Sequence, residues 1–103
     1  MPTPEQLHTE LWHSLAALLR SYTTAHGLNR NQTATIHSDD DCLTARHGSR
    51  WLELRRKGAS VGWSRENGER GVLEMTEEGR LRGPIGEEEL DTTAEAWARE
   101  LML

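Results

Sequence analysis

Between residues 43 and 82 every second position tends to be apolar. Leu43 and Ala45, Leu52 and Leu54, Val61 and Trp63, Leu73 and Met75, and then Leu81 share one phase. Period-2 alternation puts those side chains on one side of a sheet and leaves the charged ones on the other. Turn signals separate the runs at His47-Gly48-Ser49, Lys57-Gly58, Glu66-Asn67-Gly68-Glu69 and Glu77-Glu78-Gly79. Asn67-Gly68 is the strongest hairpin signal and predicts a type I′ turn with both central residues at φ > 0. Connections this short make sequential strands antiparallel.

A sheet with one oily face needs a cover. Thr3-Pro4-Glu5-Gln6 predicts a helix start, with Thr3 capping, Pro4 at the first helical position and Gln6 reaching back. Leu7, Leu11, Leu15, Leu18 and Tyr22 have helical spacing, Trp12 and Leu19 widen that stripe on one flank, and Gly27 reads as the stop. The helix is expected from about residue 4 to about residue 26. Residues 28–32 read as a polar connector, and Thr33–His37 as a first strand with Ala34 and Ile36 inward. Asp39-Asp40-Asp41 reads as a loop or bulge, after which Cys42–Arg46 resumes the strand pattern. Pro84 is expected to end the last strand. A second helix should start near Asp91 or Thr92, with Thr92-Thr93-Ala94-Glu95 as a capping box. Its apolar face is Leu90, Ala94, Trp97 and Leu101, with Ala98 beside it.

The expected fold is α+β, a two-layer sandwich in one domain over residues 1–103. An antiparallel meander of four to six strands is covered on one face by the N- and C-terminal helices. The order helix–strands–helix resembles frataxin-type sandwiches and some secretion-chaperone-like folds, in architecture alone. The resemblance to frataxin implies an acidic metal-binding or metal-carrying protein as an alternative function.

Charge narrows the partners. The 103 residues carry a formal net charge of −5, and residues 66–103 hold eleven acids against four bases. An acidic C-terminal third disfavours general nucleic-acid binding, which needs positive surface for phosphates. No apolar run approaches the roughly 20 residues of a membrane span. The N-terminus lacks a basic segment followed by an apolar one, so no secretory signal is expected. Cys42, the one cysteine, fits a reducing cytoplasm. Asn31-Gln32-Thr33 matches a glycosylation acceptor, which has no meaning without secretion.

Two acidic clusters and the thiol of Cys42 are the candidates for chemistry. His37 with Asp39, Asp40 and Asp41, near Cys42 and His47, is the metal candidate, since carboxylates suit hard cations and His or Cys suits zinc or iron. The plainer expectation is a hydrated turn between strands. Glu87-Glu88-Glu89 and Asp91 read as acids that complement a helix dipole. Cys42 with a nearby histidine lacks any signature of a catalytic pair, and Gly83-Pro84-Ile85-Gly86 lacks the lysine of a phosphate loop. No catalytic set emerges and no cofactor is expected.

Trp51 stands apart. It is out of phase with Leu52 and Leu54 and so belongs to the uncovered face, with Glu53, Arg55 and, from the neighbouring strand, Arg46. An aromatic among arginines on an open sheet suits a protein–protein or dimer contact, unless the arginines stack over it and shield it. The expectation is a small, non-catalytic intracellular interaction domain, binding another protein or a second copy through that face.

Overall fold

The computed structural model describes residues 3–28, 33–84 and 86–102. The chain runs α1 (Pro4–Leu28), β1 (Thr35–Ser38), β2 (Cys42–His47), β3 (Arg50–Lys57), β4 (Ser60–Arg65), β5 (Arg70–Met75), β6 (Arg80–Gly83), β7 (Gly86–Glu89) and α2 (Leu90–Leu101). The seven strands form one antiparallel sheet in sequence order. Both helices lie on one face of it, and one hydrophobic cluster joins them to the sheet. This is the α+β sandwich, with one more strand than the expected upper limit. The proposed connector over residues 28–32 and the glycosylation acceptor at Asn31 and Gln32 fall largely outside the described residues, as does Ile85.

Helix α1 starts as expected: the Gln6 amide donates to Thr3 Oγ1 at 3.2 Å, and the Thr3 amide donates to Gln6 Oε1 at 2.9 Å. Its buried face differs. Trp12, Leu15, Ala16, Leu19, Thr23 and Gly27 are buried, whereas Leu11, Leu18 and Tyr22 are only partly so. The stripe is therefore rotated toward Trp12 and Leu19, which were expected on its flank. Two causes act here. Helix α2 packs alongside α1, and Trp12 donates its Nε1–H to the Asp39 carbonyl at 2.9 Å, which fixes the ring between α1 and the sheet. Gly27 does not stop the helix but lies buried within it.

The meander obeys the alternation. Leu43, Ala45, Leu52, Leu54, Val61, Met75 and Leu81 are buried on the covered face. Leu43 pairs with Leu54, and Leu54 with Trp63. Two-residue loops after His47 and Lys57 place Gly48 and Gly58 at φ of about 60°, as primed turns require. The Asn67-Gly68 hairpin is not the expected type I′ turn. The Gly68 amide donates to the Arg65 carbonyl and the Arg65 amide to the Glu69 carbonyl, with Gly68 at φ 89°. This is a three-residue loop closed by a glycine bulge. Thr76–Arg80 repeats it with Gly79.

Two expectations near the C-terminus are corrected: Pro84 does not end the last strand, and α2 has no capping box. The acids of residues 87–89 form β7, paired across β6 so that Arg80 faces Glu89 and Arg82 faces Glu87. Opposite charges on facing positions favour that pairing. Helix α2 then begins at Leu90, with Glu89 as its N-cap and no side-chain cap bond. Thr93, expected inside a capping box, instead donates from Oγ1 to Glu88 Oε2 at 3.0 Å. The apolar face of α2 is as expected, with Leu90, Ala94, Trp97, Ala98 and Leu101 buried.

Candidate binding surfaces

The sheet register places the four expected open-face residues together. Arg46 faces Trp51 across β2 and β3, and Glu53 and Arg55 follow on the same side of β3. Arg55 donates from Nε to Glu53 Oε1, and that bond holds the guanidinium pKa above its ordinary value. Trp51 is half-buried. Among the described residues the cation–π contact is Arg65 over Trp63, 5.5 Å to the ring centroid, and no arginine is stacked on Trp51. Next to Glu53 and Arg55, the small residues Gly62 and Ser64 open a trough of about 540 Å³ bounded by Arg70 and Val72. Val72 is 62% exposed, a large apolar side chain with no cover on this face.

A second concavity lies on the helix side and was not expected. Trp63 has the predicted phase but is only partly buried, because it sits where α2 passes the end of the sheet. Its indole lies on Gly71: a Cβ placed there would come within 2.8 Å of Trp63 Nε1. In the same way a Cβ at Gly83 would come within 2.7 Å of Leu73 Cδ2. Glycine at these two inward positions lowers the floor of the sheet. A groove of about 580 Å³ results, walled by Trp97 and Ala96 of α2 and floored by Trp63, Gly71 and Leu73. Trp63 and Trp97 meet at 6.4 Å between centroids with planes tilted by 50°. The sequence signal was available: Gly71 and Gly83 break the apolar phase at positions where the alternation calls for a side chain.

The metal candidates occupy one turn and the strand before it. His37 is exposed on β1, and Asp39, Asp40 and Asp41 form the β1–β2 connection. The Asp39 carboxylate accepts the amides of Asp41 and Cys42 at 3.1 and 2.8 Å. Asp40 accepts Arg56 Nε at its carbonyl, and Asp41 lies 3.7 Å from Arg56. Among the described residues no three His, Cys, Asp or Glu side chains gather as ligands. Asp39→Ala is expected to lower folding stability by about 1 kcal/mol through its two lost turn bonds. Calorimetry of the wild-type protein with zinc, iron(II), calcium and manganese measures the metal reading separately. That reading requires a saturable site tighter than about 100 μM that disappears when the three aspartates become Asn.

Among the described residues no helix is long and apolar enough to cross a membrane. No protein-family model, no curated protein and no solved structure matches this chain.

Proposed function

We propose that this chain is a non-catalytic interaction domain that binds another protein, or a second copy of itself, through the open face of its sheet. The observation that carries this reading is the one-sided cover. Both helices pack on one face of a seven-stranded sheet, while the other face presents Trp51, Arg46, Glu53, Arg55 and an uncovered Val72. Apolar area outside a core has value mainly when a partner covers it. An intracellular setting accords with the free thiol of Cys42.

Trp51→Ala tests the reading. The variant is expected to keep its stability within about 1 kcal/mol and to lose about 2 kcal/mol or more of association, the scale of an aromatic hot spot. Sedimentation of wild type and variant measures self-association, and affinity capture with each as bait measures partners. Identical oligomeric state and identical bound proteins would refute the role of this face.

A further inference from the structure

The open face carries its charge unevenly. On strands β2–β5 its bases are Arg46, Arg55, Lys57 and Arg70, and its acids are Glu53 and Glu74. Both acids are already matched: Glu53 accepts from Arg55, and Glu74 meets Arg82 of β6 at 3.0 Å. Among the described residues no acid pairs with Arg46, Lys57 or Arg70. These exposed cations are left over on one face of a chain whose net charge is −5. The register arranges them around the trough. Strand β4 gives its floor only Ser60, Gly62 and Ser64, so β3 and β5 stand as walls, two strand spacings or about 10 Å apart. Across Ser64, Glu53 faces Arg70; across Gly62, Arg55 faces Val72; across Ser60, Lys57 faces Glu74. Arg70 and Lys57 therefore mark the two ends, about 13 Å apart along the strand direction, with the uncovered Val72 midway.

We infer that the partner in the proposed function presents a short, extended acidic segment, laid along β4 with a carboxylate at each end and an apolar side chain between them. The inference rests on that reading of the open face and names the chemistry of its occupant. An extended chain points every second side chain the same way. Carboxylates four residues apart reach Arg70 and Lys57, and the apolar residue midway settles over Gly62 against Val72. Gly62 leaves room for it, since a Cβ there would meet nothing closer than the Arg55 carbonyl at 3.8 Å. A helix, 10–12 Å across with its side chains, is too wide for these walls. A second copy stacked trough on trough would oppose like charges. A nucleic acid strand would run past the trough into Glu66 and Glu69 of the β4–β5 loop or Glu77 and Glu78 of the β5–β6 loop, which repel phosphates. Those acids hold the fitting segment to about the length of the trough.

The test titrates the intact chain into a blocked, fluorophore-tagged heptapeptide, Ser-Glu-Ser-Leu-Ser-Glu-Ser, and reads its anisotropy. The peptide is expected to bind at about 1 mM or tighter in low salt, and its counterpart with lysine for glutamate is expected not to. Arg70→Glu and Lys57→Glu, both at exposed positions, are each expected to weaken binding about threefold or more. Glutamine replaces glutamate in either variant that loses the wild-type urea midpoint. Binding weaker than about 1 mM, equal binding of the lysine peptide, or indifference to both substitutions would overturn the inference. So would tighter binding of a thymidine heptanucleotide than of the peptide. Affinity capture with each variant as bait judges the underlying reading separately. Loss of the captured partner with Trp51→Ala, Arg70→Glu and Lys57→Glu alike supports both. Loss with Trp51→Ala alone keeps the open face and removes the acidic segment, and capture indifferent to all three removes the open face itself.

Discussion

Trp12→Ala is expected to remove about 3–5 kcal/mol of folding stability, the largest effect of any single substitution considered for this chain. Trp12 is 1% exposed and begins the buried face of α1, which runs on through Leu15, Ala16 and Leu19. Its deletion leaves a cavity between α1 and the sheet, and it strands the Asp39 carbonyl that accepts the indole N–H. Both losses act in the same direction. A domain of this size has a total stability of roughly 5–15 kcal/mol, so the variant should show a strongly lowered urea midpoint. Trp12→Phe separates the two terms, since it keeps most of the volume and loses the hydrogen bond. A midpoint within error of wild type for Trp12→Ala would place α1 outside the core.

Truncation after Ala98 is expected to unfold or aggregate the protein. Leu101 and Met102 are buried, and each contributes roughly 1.5–3 kcal/mol on burial. The same cut removes Glu100, whose carboxylate pairs with Arg65 and whose carbonyl accepts from Arg50. Arg65 and Arg50 belong to the covered side of the sheet, in phase with Leu52, and would be left there without these partners. Circular dichroism and light scattering on the truncated chain measure the outcome. A cooperative thermal transition at the wild-type temperature would mean that α2 does not form part of the cover.

The strands and their faces were legible because alternation is a local property of each run. Leu52 and Leu54 are buried and Trp51 is not, as their phase requires. The capping pair of Thr3 and Gln6 was legible for the same reason. What the sequence left ambiguous depends on neighbours distant in the chain. Helix α1 carries leucines on both sides of Trp12, and only the position of α2 and the Asp39 carbonyl selects the buried set. That the acids at 87–89 form a strand before they reach the entrance of α2 depends on the arginines of β6. Trp63 has core phase, but how far a helix covers it is not written in the alternation, so the groove beside it was missed. Of the candidate sites, the open-face set could be read from β2 and β3 alone.

In the proposed function the two faces of the sheet have different work, one holding the fold and one binding a partner. Urea unfolding of Leu52→Ala beside Trp51→Ala tests this at adjacent positions of one strand. Leu52→Ala is expected to cost about 2–5 kcal/mol, and Trp51→Ala less than about 1 kcal/mol despite the larger side chain removed. The reverse order, or equal losses at both positions, would contradict the assignment of faces, since a one-residue slip in register exchanges them.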